Sequence, residues 1–307
     1  MQKMKAFVRT SLQSQHVELA EVAIPDINDD EALVQVQAFG VGIHDRYFIP
    51  PNVAFPYPIG TEGAGIIMKR GSRVSGFHVQ DRVILTSAMQ PKGGCWAEYV
   101  AVAQHALIPL PPEMDFTAGA VIPVAGGAAL ESMRSLALQA GDTLFVAGAS
   151  GAVGTVVIQL AAARGVRVVG SASPKNLDYM RSLGAETAVS YTDPTWKQQV
   201  RQWQPGGVSA ALAIQPGTIE DSMDVVQDGG KVVAVSGDQA PSRRNIAVSH
   251  MQHHADTRPL LVQLIADIAV GRIQLVIEHI YPFAQALAAL EKTETRHARG
   301  KVVVSLA

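Results

Sequence analysis

One cysteine in 307 residues, Cys95, is too few for a disulfide within the chain or for a cysteine-built zinc site. Charge is scarce as well. Asp, Glu, Lys and Arg make up 17% of the chain and sum to −2 with histidine neutral. Lys and Arg are scattered, so no basic field exists to hold nucleic acid. No apolar run comes near the ~18 residues that cross a bilayer, and the opening MQKMKAFVRT lacks the apolar stretch of a secretory signal. Internal repeats and low-complexity segments are also missing. What is present is a chain 48% hydrophobic, long enough for two ordinary domains with a core each. The expectation is a soluble, cytoplasmic protein acting on a small molecule, with neither nucleic acid nor membrane as partner.

Two textures divide the chain. Up to about Pro123, short strand-like runs such as EALVQVQAFGV (31–41), GAGIIMK (63–69), DRVILTS (81–87) and AEYVAVA (97–103) alternate with Gly and Pro. The proline-dense PPNVAFPYPIG (50–60) reads as extended loop, because proline lacks the N–H a helix interior needs. Beyond Pro123, helix and strand patterns take turns: AGGAALESMRSLAL, TLFVAG, AVGTVVIQLAAAR, VRVVGS, LDYMRSLG, TAVSY, VSAALAIQ, IEDSMDVVQ and KVVAVSG. Alternation of that kind predicts a parallel sheet with crossover helices. From about Ala247 the chain gives a helix, a strand (IQLVIEHI), a helix and a last strand, KVVVSL.

The stretch GASGAVG, 148–154, joins TLFVA to a helix whose apolar positions Val153, Val156, Val157, Leu160 and Ala161 recur at helical spacing. Gly165 reads as the C-cap, and VRVVG as the next strand. A glycine turn by itself is only a turn. Within a complete strand–turn–helix–strand unit it is expected to hold a pyrophosphate, since the helix N-terminus offers unpaired N–H groups and partial positive charge. Small residues at 148, 151 and 154 let backbone and ligand approach. Ser150, Gly151, Ala152, Val153 and Gly154 are therefore candidate cofactor residues. NAD-binding folds usually place an acid ~20 residues further on, where it takes the ribose hydroxyls. Here the sequence reads Ser171-Ala172-Ser173-Pro174-Lys175. Ser171 and Lys175 can pair with a 2′-phosphate that an acid would repel, so NADPH is expected over NADH. Tyr191, ending the next strand, is a candidate for the adenosine end.

Several further pieces share one order: AFGVGIHDRYF (38–48), PIGTEGAGII (58–67), DRV (81–83), GGCWAEYV (93–100), the glycine turn, LGAETAVSY (183–191), GGKVVAVSG (229–237) and RGKVVVSL (299–306). Together they resemble the medium-chain dehydrogenase/reductase superfamily, in its zinc-free quinone oxidoreductase branch, which includes zeta-crystallin. The resemblance implies an α/β protein with a GroES-like β-rich catalytic domain (1–122 and 247–307) and a Rossmann doubly wound parallel-sheet domain (123–246). It implies a site in the cleft between them and a homodimer. It also adds Ser236 and Gly237 to the cofactor set.

Zinc-dependent members carry a ligand cysteine where this chain has Gly42 and a ligand histidine where it has Thr61, and the four-cysteine zinc lobe is missing. No bound metal is expected. Two departures separate the chain from quinone reductases of the branch, which often have Asn at the place of Gly42 and Thr at that of Ala128. Tyr47 matches an active-site tyrosine of the branch, and His44 stands where zinc enzymes relay a proton through Ser or Thr. These two are the catalytic candidates, His44 as proton donor from an ordinary imidazole near 6.5. The implied reaction is hydride transfer from NADPH to a quinone or an α,β-unsaturated carbonyl. A protein that holds NADPH as sensor or structural component without turnover is the alternative. His250, His253 and His254 read as a polar loop, since no cysteine or spaced carboxylate completes a metal set. Cys95 reads as a buried small residue.

Overall fold

The structure, a computed structural model, describes residues 2–254 and 256–306. The chain folds as two units, one formed by residues up to Val124 together with those from Ile277 onward, the other by Ala125–Val276. In chain order the first unit contributes β1 (Lys3–Arg9), β2 (Glu18–Ala23), β3 (Glu31–Val41), β4 (Tyr57–Pro58), β5 (Glu62–Arg70), β6 (Arg82–Thr86), β7 (Tyr99–Ala103), β8 (Leu107–Pro109) and α1 (Phe116–Gly119). Helix α2 (Pro123–Leu136) leads into the second unit, with β9 (Thr143–Ala147), α3 (Ala152–Ala163), β10 (Arg167–Ala172), α4 (Leu177–Ser182), β11 (Thr187–Ser190) and α5 (Trp196–Trp203). It continues through β12 (Val208–Ala213), α6 (Ile219–Val225), β13 (Val226–Ala234), β14 (Ala247–His250) and α7 (Thr257–Ala269). The chain then returns to the first unit with β15 (Ile277–Pro282), α8 (Ala286–Glu294) and β16 (Lys301–Ser305).

In the first unit β3 is the organising strand. Its residues are buried on both faces except at Gln35 and Gln37, because it pairs antiparallel with β5, β7 and β16. Its Val and Phe residues suit such a strand, where side chains meet neighbours on the adjoining strands. Around it, Trp96 is fully buried, stacked on Phe39 at 4.9 Å and met edge-on by Phe7 at 6.1 Å. Gly60 is required beside it. Its φ is +114° and a Cβ would run into Trp96 Cδ1.

The second unit is built on one parallel sheet, ordered β11-β10-β9-β12-β13-β14. All five residues of β9 are buried, as expected of a strand covered by helices on both faces. The glycine-turn helix α3 buries Gly154, Thr155, Val156, Val157, Ile158 and Ala161. Val153 and Leu160, expected inside, are only half-buried. Gly154 rather than Val153 faces the Ala149 backbone of the glycine turn, because only a residue without a side chain lets the helix come so close. Arg164 is the C-cap, and Gly165 follows it at φ +73°.

The expected division at 246 moves. Strand β14 pairs with β13 from Lys231↔Ala247 to Ala234↔His250, so 247–276 belongs with the second unit. Two contacts fix the start of α7 there: Arg134 makes a two-pronged pair with Asp256 at 2.6 and 3.0 Å, and Glu131 accepts from the Thr257 hydroxyl. The strand expected over 273–280 begins later, at Ile277. Helix α5 went unread in the sequence because WKQQVRQW buries only Trp196 and Val200, too thin a stripe to stand out. Among the described residues no helix is long and apolar enough to cross a membrane.

Candidate active site

The glycine turn lies at the C-terminal end of β9. Gly148 has φ +83°, a left-handed conformation that favours glycine. Its N–H and that of Ala149 both donate to the Ser171 carbonyl, at 3.2 and 3.1 Å, which ties the turn to the end of β10. A Cβ at Gly154 would lie 2.6 Å from the Ala149 Cα and carbonyl oxygen, so glycine here sets how closely α3 packs against the turn. At Gly151, the N-cap of α3, an added Cβ meets only the Gly148 carbonyl at 3.4 Å, and no side chain caps the helix. The first N–H groups of α3 are thus left for an outside acceptor. Ser150, Gly151, Ala152 and Val153 are all half-buried around this end. Beyond β13, the Ser236 hydroxyl oxygen is buried with no hydrogen-bond partner, and Gly237 has open space where a side chain would stand. A turn of mostly glycine and alanine, a helix with no side-chain cap and an orphaned hydroxyl fit a dinucleotide.

Next to the turn, along the same sheet edge, stand the other candidates. Ser171 is buried near the end of β10, and Lys175 is exposed in the short helical turn after it. Tyr191, half exposed, follows β11 and donates its N–H to the Ala172 carbonyl at 3.3 Å. Sequence reasoning missed Asn176. Its side chain is buried, and Nδ2 donates to Ser150 Oγ and Ser173 Oγ, each at 3.1 Å. Nothing in the sequence singled it out, since a lone Asn after Pro-Lys is an ordinary turn residue.

The first unit holds the other candidates on the turn after β3. Main-chain bonds from Tyr47 and Phe48 N–H to the His44 carbonyl, at 2.8 and 3.1 Å, wind this segment into a helical turn. His44, Tyr47 and Phe48 are exposed on it, with the His44 and Phe48 rings 5.4 Å apart. Partial burial, and then the like charge of Arg296, hold the His44 imidazole below its usual 6.5. It is neutral at pH 7, so it can offer an N–H hydrogen bond more readily than a net proton. The turn is anchored from inside by Asp45, which is 1% exposed. Asp45 accepts from Gly42 N–H at 2.7 Å and from Thr61 Oγ1 at 2.5 Å. Burial pushes its carboxyl up to about 6, against the pull of those two hydrogen bonds and of Lys301.

Neighbouring Glu62 is equally buried. It pairs with Lys301 Nζ at 2.5 Å and accepts the Val124 N–H at 2.7 Å. Cys95 is buried, gives its S–H to the Glu62 carbonyl at 2.9 Å, and burial raises its thiol far above the usual range. It is no nucleophile. Among the described residues no group of three or more His, Cys, Asp or Glu is placed to hold a metal. His250 ends β14, and His254 leans on Glu131, with its N–H 3.0 Å from one carboxylate oxygen and Nε2 3.9 Å from the other.

A parallel sheet with a glycine turn opening a helix, in one chain with a strand unit built round a GroES-like core, defines a fold of the dehydrogenase kind. Comparison with known proteins carries this further. The alcohol dehydrogenase GroES-like domain family matches residues 28–112, and the zinc-binding dehydrogenase family matches 183–304. The chain is 30% identical to the NADPH-dependent alkenal/one oxidoreductase of Arabidopsis thaliana chloroplasts, over 93% of this chain and 74% of that one. It is 27% identical to the quinone oxidoreductase of Sus scrofa, over 94% and 92%. The structure of the quinone oxidoreductase from Coxiella burnetii superposes with a TM-score of 0.88 at 22% identity, over the whole of both chains. The chain belongs to the medium-chain dehydrogenase/reductase superfamily and is an oxidoreductase of that family.

Proposed function

We propose that the protein is a zinc-independent reductase that transfers a hydride from NADPH to a quinone or an α,β-unsaturated carbonyl. The observation that carries this reading is the closed hydrogen-bond network at the positions where zinc enzymes of the family bind their metal. Gly42 has no side-chain donor atom. Thr61 gives its hydroxyl proton to Asp45, and Glu62 is held by Lys301 and the Val124 amide. A tetrahedral zinc site needs thiolate, imidazole or free carboxylate ligands, and these residues do not fit one. Negative charge on the reduced oxygen then has to be met by hydrogen-bond donors. Quinones and conjugated carbonyls suit such a site because their own conjugation spreads that charge.

The first unit acts as the catalytic unit in this reading and the second as the cofactor unit. NADPH, when bound, supplies the hydride. The main chain at Ser150, Gly151, Ala152, Val153 and Gly154 holds its pyrophosphate at the start of α3. Ser171 and Lys175 meet the 2′-phosphate, Tyr191 covers the adenosine end, and Ser236 with Gly237 lines the far side. Tyr47 and His44 offer O–H and N–H to the oxygen that gains charge. The names of the relatives support the acceptor class and the reduced cofactor. A homodimer in the cytoplasm completes the proposal.

Metal-free protein assayed for NADPH oxidation against a benzoquinone, a naphthoquinone, an alkenal and a cyclic enone, with NADH in parallel, tests it. Turnover with one acceptor class is the expected result. Activity that appears only on adding zinc would overturn the metal-independent reading, and tight NADPH binding without reduction of any acceptor would favour a sensor.

A further inference from the structure

Asn176 sits where two adjacent strands end, and its buried amide does something specific to two hydroxyl groups. One nitrogen, Nδ2, donates to Ser150 Oγ in the glycine turn and to Ser173 Oγ just beyond β10. A hydroxyl that accepts through its oxygen keeps its own proton to give away. Both serines are thereby set as donors. No acid lies between 171 and 175, and Lys175 adds an exposed cation to the same turn. Two preset O–H donors beside a lysine suit a phosphate monoester, and the end of the second parallel strand is where this fold type receives the ribose and its 2′ substituent.

We propose that Asn176 is a positioning residue that presets Ser150 and Ser173 as a donor pair for the 2′-phosphate, and so determines a preference for NADPH over NADH. The proposal rests on the reading of this cradle as an NADPH site. A carboxylate in place of the amide would reverse the polarity. It would accept from both hydroxyls, turn their lone pairs outward, and bring a negative charge toward the phosphate. A plain ribose 2′-OH, which can donate, would tolerate that arrangement.

The test is a set of dissociation constants, by calorimetry, for 2′,5′-ADP, 5′-ADP, NADPH and NADH. The proteins are the parent, Asn176→Asp and Ser173→Ala, each checked for its fold by circular dichroism. 2′,5′-ADP carries the 2′-phosphate without the pyrophosphate, and 5′-ADP the reverse, so the two separate the possible phosphate sources. Asn176→Asp is expected to weaken 2′,5′-ADP and NADPH by about 100-fold, two charge-assisted bonds being lost and a repulsion added, with NADH binding kept. Ser173→Ala, which leaves the Asn176–Ser150 contact in place, is expected to weaken 2′,5′-ADP by about tenfold and 5′-ADP hardly at all.

Retention of 2′,5′-ADP affinity within about threefold in both variants would overturn the proposal. Equal losses for 5′-ADP and 2′,5′-ADP would also overturn it, by making Asn176 a brace for the turn and nothing more. A parent protein that binds NADH but neither NADPH nor 2′,5′-ADP would remove the NADPH reading itself, and with it the ligand assigned to the donor pair.

Discussion

Asp45 offers a change that should make the protein more stable by removing a charge. Its carboxylate lies wholly inside the first unit, and burial is the largest influence on it, followed by the opposing hydrogen bonds from Thr61 and Gly42. The rise from 3.8 to about 6 corresponds to about 3 kcal/mol. The sign follows from proton linkage. The folded protein holds this proton more tightly than the unfolded chain, so the contribution to stability is complete below 3.8, falls as pH rises toward 6, and is lost above it. In the Asp45→Asn variant, the new amide oxygen can accept from Gly42 N–H while its nitrogen donates to Thr61 Oγ1, because a hydroxyl both accepts and donates. The substitution is therefore expected to add up to about 3 kcal/mol at about pH 7.5 and close to nothing at about pH 4. Urea denaturation at both pH values, followed by the emission of buried Trp96 in the same unit, measures it. A variant destabilised at the higher pH would refute the reasoning. It would mean that the charge is needed, for instance to balance Lys301, and that burial is not the dominant influence.

Other consequences are as direct. Gly154→Val forces a side chain into the Ala149 backbone, 2.6 Å from its Cα, and is expected to cost about 1–3 kcal/mol and to abolish NADPH binding in a fluorescence titration. Tyr47→Phe should lower kcat by about 10- to 100-fold while leaving the NADPH dissociation constant unchanged, if its hydroxyl meets charge on the acceptor. Should His44 deliver a proton, kcat will fall as pH rises through a value below 6.5, and that limb will vanish from the pH profile of His44→Gln. Its persistence in the variant would clear His44 of the role. Lys301→Met strands the buried Glu62 carboxylate and is expected to destabilise the protein by about 3–5 kcal/mol, read as a lower urea midpoint, with Glu62→Gln in the same chain restoring part of the loss.

Residue order alone settled whatever depends on neighbours along the chain. Short strand-like runs set off by Gly and Pro, such as 31–41, the alternation of TLFVA, AVGTVVIQLAAAR and VRVVGS, and the glycine turn between them specify strands, crossover helices and a parallel sheet. Local patterning and turn chemistry both act within a few residues. That Gly42 brings no side-chain donor atom is legible in the same way, whereas the expectation that a metal ligand belongs at Gly42 or Thr61 comes only from the family resemblance.

Tertiary structure decided what depends on partners distant in sequence. Residues 247–276 fall in the second unit because β14 finds β13, a pairing no local pattern encodes. Val153 turns partly outward because Gly154 has to face Ala149. Asp45 was invisible as an anchor until Thr61 was brought to 2.5 Å from it, and Asn176 until the ends of β9 and β10 placed Ser150 and Ser173 around one nitrogen. Burial and hydrogen bonding are properties of places in the fold, and a sequence lists residues without their surroundings. The elements of this protein are therefore written in its order of residues, while the polarity of its sites comes from the packing that joins them.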